Sequence, residues 1–179
     1  MRYAPERYDE VACQSRRAAE ILGVSDLRLL DYPDQRLDTV PVSEIAGRIE
    51  RIIGEFQPDI VYTHSTRDLN RDHRTLTEAV LIACRPYSAP SVREILMFET
   101  PSSTEWGTSQ LFPAFEPVVF VNVEEFIEIK IEAFCCYTAE VRPYPHPRSP
   151  EAIRERARYW GSQVNRRAAE PFALVRGLR

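Results

Sequence analysis

Lysine is almost missing: Lys130 is the only one, and arginine supplies the rest of the 23 basic residues. The arginines are scattered along helical stretches, and the formal net charge is −4, so neither a basic patch nor global charge draws the chain to nucleic acid. The four cysteines, Cys13, Cys84, Cys135 and Cys136, show no C-x-x-C spacing, and adjacent Cys135 and Cys136 on a helix point in different directions. That argues against a thiolate zinc site and against a disulfide scaffold. No apolar run is long enough to cross a bilayer and no secretory leader is visible. The expected setting is a reducing cytoplasm, without a membrane partner. Repeats and low-complexity segments are also lacking. What is present is ordinary for a soluble globular chain: 179 residues, 44% hydrophobic and 28% charged, enough for one domain with a core, residues 1–179.

The chain is organised around residues 58–86. Asp59 to Thr63 is a β-branched apolar run after Pro58 and reads as a buried strand. His64 to Leu69 form a polar loop, and Asn70 is a good N-cap for a helix from about Arg71 to Cys84, stopped by Pro86. Asp68, Asn70, Asp72 and His73 therefore collect at the carboxyl end of a strand, where ligands bind in open α/β sheets. Carboxylate and imidazole in that place suit a divalent metal such as zinc, with a further carboxylate able to orient the imidazole. The alternative reading of the same residues is plainer: Asp72 complements the helix dipole and His73 is a solvated first-turn residue.

Around this stretch the pattern alternates. Glu6 to Leu22 is an amphipathic helix ended by Gly23, and Leu27 to Leu30 reads as a strand leading to Asp31-Tyr32-Pro33-Asp34. Val42 to Phe56 is a helix with Ile45, Ile49, Ile52, Ile53 and Phe56 in a core stripe. Ser91 to Glu99 and Pro117 to Val121 are expected strands, and Glu124 to Tyr137 an expected helix. Glu151 to Trp160 and Arg167 to Leu174 are expected closing helices. Thr100 to Pro113 is a polar, aromatic, proline-bounded loop, either a substrate wall or a cover for core. Arg142, His146 and Arg148 sit in a loop stiffened by Pro143, Pro145 and Pro147, suited to an anionic group or serving as a surface connector. This β-α-β-α order predicts an α/β fold with a mostly parallel sheet.

The string Asp68-Leu69-Asn70-Arg71-Asp72-His73-Arg74, with Ala79-Val80-Leu81 and Ala83-Cys84-Arg85-Pro86 after it, resembles the second metal motif of the PIG-L/LmbE-type zinc deacetylases. Asp31 to Asp34, Phe98 to Trp106 and Arg142 to Ser149 resemble further segments of that family, so the likeness covers nearly the whole chain. It implies a three-layer, Rossmann-like fold and hydrolysis of the N-acetyl group of acetylglucosamine-type sugars or glycoconjugates by a zinc held by two histidines and an aspartate. It also implies His73 as a metal ligand and Asp72 as a residue orienting it or a neighbour. Asn70 stands where some relatives carry a histidine that stabilises the oxyanion. By the same resemblance Asp34, Asp68, Arg142 and His146 would fall at substrate-binding positions.

The family's His-Pro-Asp-Asp motif, which holds two ligands and the general base, has no counterpart here, since the one His-Pro pair, His146-Pro147, is followed by Arg148. The expectation is an amino-terminally truncated domain lacking roughly 40 residues, two strands and a helix. Those strands would lie between Leu27–Leu30 and Ile60–Thr63, and their loss predicts an unstable chain with exposed strand edges. Two readings stand: a metal-dependent N-deacetylase, inactive as this chain, or a non-catalytic sugar- or protein-binding remnant.

Overall fold

The computed structural model describes residues 5–179, with side chains described from 8 onward. Five α-helices are found among them: α1 (Pro5–Leu22), α2 (Val42–Phe56), α3 (Arg71–Ala83), α4 (Ile127–Cys135) and α5 (Pro150–Gln163). Four strands accompany them: β1 (Ile60–His64), β2 (Glu94–Phe98), β3 (Val119–Asn122) and β4 (Ala169–Gly177). By contacts the chain forms two units, one made of Met1–Pro33 and Phe120–Glu170, the other of Asp34–Val119 and Pro171–Arg179. None of the described helices is long and apolar enough to cross a membrane.

In the second unit, α2 matches its predicted span to the residue and ends where Gln57 turns left-handed, at φ 52°. Its buried positions are Ile45, Ala46 and Ile53, whereas Phe56, in its last turn, is exposed. Ala79, Val80 and Ala83 of α3 and Ile95 and Leu96 of β2 are also buried. Each large aliphatic side chain withdrawn from water here contributes about 1.5–3 kcal/mol. Small residues on α3 let α2 and β1 approach it closely.

The strands form one sheet in the order β1-β2-β4-β3. β1 and β2 are parallel, with Ile60 opposite Glu94 and His64 opposite Phe98. β2 and β4 are antiparallel, with Phe98 opposite Phe172 and an irregularity between Ile95 and Leu96. Hydrogen bonds from Val118 N–H to Phe172 O and from Val123 N–H to Ala168 O run in opposite chain senses, so β3 and β4 are antiparallel too. The sheet is therefore mixed, which corrects the mostly parallel expectation.

Two element assignments are also corrected. Arg167 to Leu174 is not a helix: after a bend at Arg167 and Ala168 it enters β4 at Ala169; Pro171 would remove an N–H from a helix interior, and β2 offers this segment a ladder instead. Leu27 to Leu30 is not a strand, and Leu27 and Leu29 are exposed. A strand needs a neighbour for its backbone donors and acceptors, and among the described residues none pairs with this one.

The first unit buries Val123, Ile127, Ile131, Ile153, Ala157 and Ala168 together, with Phe134 against them. α5 begins with Ser149 as N-cap, its hydroxyl accepting from Ala152 N–H at 3.0 Å, and Pro150 in the first turn. Lys130 of α4 is ion-paired with Glu170. Glu128 and Arg154 form a two-bonded pair at 2.7 and 2.8 Å between α4 and α5.

Candidate metal centre

The local structure between β1 and α3 starts from one amide. Asn70 caps α3 with Oδ1, which accepts from Asp72 N–H at 2.9 Å. Using the oxygen for the cap turns the NH2 group the other way, where Nδ2 lies 3.3 Å from His73 Nε2. An amide nitrogen only donates, so Nε2 accepts and keeps a lone pair, and the neutral ring carries its proton on Nδ1. His73 Nδ1 is buried and stands 3.0 Å from Asp68 Oδ2, close enough to pair but off the line of a straight hydrogen bond. A carboxylate beside one ring nitrogen and a lone pair on the other is the arrangement that supports a metal-binding imidazole.

Asp68 is fully buried, at 0% exposure. Its Oδ1 accepts from Asn70 N–H at 2.8 Å and from the Ser103 hydroxyl; its Oδ2 accepts from the Thr104 hydroxyl at 3.2 Å. Burial pushes this carboxyl up, but the adjacent His73 imidazole, the Ser103 hydroxyl and the Asn70 N–H outweigh it and hold the group below the usual carboxylate range.

His64 ends β1. Its ring stacks on His73 with centroids 3.9 Å apart and planes 7° apart, and its Nδ1 is 3.1 Å from the Thr100 hydroxyl. Burial first and the neighbouring His73 second lower its pKa to about 4, against a weaker opposing pull from Asp68, so the ring is neutral at pH 7. Thr77 fixes the two elements on each other: its buried hydroxyl lies 2.8 Å from His64 O and 3.0 Å from His73 O.

The donor atoms of His64, Asp68 and His73 lie within 4.8 Å of one another, and two imidazoles with a carboxylate are a donor set of the kind zinc takes. Geometry separates the three. A metal lies in the plane of the imidazole that binds it, and an ion cannot lie in both of two stacked planes, so His64 and His73 do not converge on it. Both Asp68 oxygens are already engaged. The atom that fits a metal is Nε2 of His73, with Asp68 behind it.

The remaining expected site residues are placed as follows. Asp72 Oδ1 accepts from Leu37 N–H at 3.0 Å and ties the 3-10 turn Leu37–Thr39 to α3. Asp68, expected at the substrate, is instead the buried carboxylate that neighbours the imidazole. Asp34 is exposed in the turn ahead of that 3-10 segment. In the other unit, Arg142 donates to Ala139 O at 2.6 Å and Val141 O at 3.0 Å, and His146 Nδ1 accepts from Arg148 N–H at 3.1 Å. His64, Thr77, Ser103 and Thr104 were not expected. His64 had a signal in the sequence, since the last residue of a strand reaches the same crevice as the loop after it.

Residues 6–84 match the PIG-L family, described as GlcNAc-PI de-N-acetylase. The chain belongs to the PIG-L/LmbE deacetylase family. This PIG-L chain is 30% identical over 126 residues to an uncharacterized deacetylase, YaiS, of Escherichia coli, a match covering 67% of the chain and 60% of that protein. It is 27% identical over 124 residues to a probable N-acetyl-alpha-D-glucosaminyl L-malate deacetylase 2 of Bacillus cereus, covering 69% of the chain and 54% of the relative. Its fold is similar to that of protein TT1542 from Thermus thermophilus, with a TM-score of 0.74 at 22% identity over 97% of this chain and 74% of the other. The PIG-L chain thus spans little more than half the length of these curated relatives.

Proposed function

We propose that this PIG-L chain takes part in metal-dependent removal of the N-acetyl group from an acetylglucosamine-type sugar or glycoconjugate, with His73 as a metal ligand in a three-layer, Rossmann-like domain. The observation that carries the reading is the pairing of His73 with buried Asp68, which leaves the lone pair of Nε2 free for an ion in place of the Asn70 amide. Zinc bound there would polarise the amide carbonyl and lower the pKa of its water to about 7. The chain's own residues would do the rest of the positioning. Asp68 holds the ring proton at Nδ1. Asn70, released from Nε2, offers an N–H to a developing oxyanion but cannot carry a proton through the reaction. Asp34, exposed in the same unit as His73, is a polar group for the sugar.

One imidazole binds zinc weakly, because affinity comes from several ligands acting together. The purified chain is expected to hold far less than one zinc per molecule, to take up added zinc weakly through His73, and to show no deacetylation of acetylglucosamine derivatives by itself. Metal titration followed by mass spectrometry, with His73→Ala beside the native chain, tests this. Uptake unchanged by His73→Ala would sink the assignment. A second reading, a non-catalytic sugar- or protein-binding module, is favoured by the same stacking that keeps His64 off the ion. Calorimetric binding of N-acetylglucosamine that is indifferent to both zinc and His73→Ala would select it.

A further inference from the structure

The geometry points to Ser103 and Thr104 as positioning residues that set the tautomer of His73 by saturating Asp68. This rests on the reading of His73 as a ligand, and it assigns a task to the turn after β2, a segment expected from the sequence to wall a substrate or cover core.

A carboxylate has no hydrogen to give, so a hydroxyl beside it must donate. Two backbone groups also commit these hydroxyls. Thr100 N–H donates to Thr104 Oγ1 at 2.7 Å, and Asn70 N–H approaches Ser103 Oγ at 3.3 Å, so each hydroxyl accepts from the backbone and turns its own hydrogen to Asp68. With Ser103 and Asn70 on Oδ1 and Thr104 on Oδ2, the remaining room at Oδ2 faces His73 Nδ1. The carboxylate is then fixed in rotation with an acceptor oxygen toward Nδ1, which favours the proton on Nδ1 over Nε2.

The turn is itself held. Glu105 accepts from the N–H groups of Ser102 at 2.7 Å and Ser103 at 3.3 Å, Ser103 O accepts from Leu69 N–H at 3.2 Å, and Arg67 Nε donates to Gly107 O at 2.9 Å. Gly107 is glycine because a Cβ there would stand 2.0 Å from Arg67 O. Ser103 and Thr104 are therefore delivered to Asp68 by backbone on both sides of the contact.

The test is the nitrogen NMR signature of the His73 ring in the metal-free chain at mildly alkaline pH, comparing the native chain with Ser103→Ala combined with Thr104→Val. Native His73 is expected to show two widely separated ring-nitrogen signals, the lone-pair nitrogen being Nε2; in the double variant they should move toward each other as the tautomers mix. Ser103→Ala combined with Thr104→Ser, which keeps the hydroxyl at 104, should show a separation nearer the native one than Ser103→Ala combined with Thr104→Val. Zinc affinity through His73 should fall by about 10- to 100-fold in the double variant. His73 signals unchanged in a folded double variant overturn the proposal. If the double variant does not fold, Ser103→Ala alone is read, and unchanged signals there overturn it equally. A native chain that binds no zinc through His73, yet shows the tautomer shift, would remove the metal assignment and leave the positioning role standing.

Discussion

Asn70 does two jobs with one amide, and they can be pulled apart. Asn70→Ala removes the cap and should cost about 1 kcal/mol of stability, read as a lower denaturant midpoint. Asn70→Asp keeps an N-cap oxygen but places an acceptor toward Nε2 of His73, so stability should be nearly kept while the ring proton moves to Nε2; a ring tautomer identical to the native one would contradict the amide orientation. His64 makes a pH prediction. Its pKa is about 4 in the folded chain against 6.5 as the ordinary value, so between those limits the unfolded chain binds a proton that the folded chain refuses. Stability must rise with pH through that window and level off above it. One proton limits the slope to about 1.4 kcal/mol per pH unit, and partial solvent access reduces it. Asp68, held low, acts in the same direction: its contribution is present above the ordinary carboxylate value and is lost as pH falls through its folded one. Metal-free chain should unfold at lower denaturant at pH 5 than at pH 7, and His64→Gln should narrow the gap; equal midpoints at both pH values would reject the buried neutral ring.

At the scale of elements, the turn from α5 into β4 is the sharpest constraint. A Cβ on Gly161 would meet Arg166 O at 2.6 Å and the Ala168 backbone at 2.8 Å, so Gly161→Ala is expected to destabilise by about 1–3 kcal/mol, measured by thermal or chemical unfolding. A midpoint within error of the native one would mean that the turn opens easily. This junction also shows what was legible beforehand. The helical spans of α2 and α3 and the Asn70 cap were readable because period, cap and stop signals lie within one segment. β4 was not, because its strand state is conferred by pairing with β2, far away in sequence. The site divides the same way. His73 and Asn70 stood out through local spacing, while the Asp68 partners Ser103 and Thr104 lie 35 and 36 residues away and were reachable only through the folded turn.

For the molecule as a whole, the described sheet ends at β1, with Ile60 and Tyr62 exposed at 44% and 48%. An apolar edge strand with open backbone groups is a template for pairing with other chains. The isolated chain is expected to self-associate as concentration rises, by light scattering or sedimentation, and Tyr62→Lys to suppress it; a monomer unaffected by concentration would contradict this. The near absence of lysine has a practical consequence at the same scale. Lys130 is half exposed and paired with Glu170, so an amine-reactive dye or crosslinker finds one side chain on the whole polypeptide. Any label placed there reports from a single known point on α4, and a shift in its reactivity would register the making or breaking of that one ion pair.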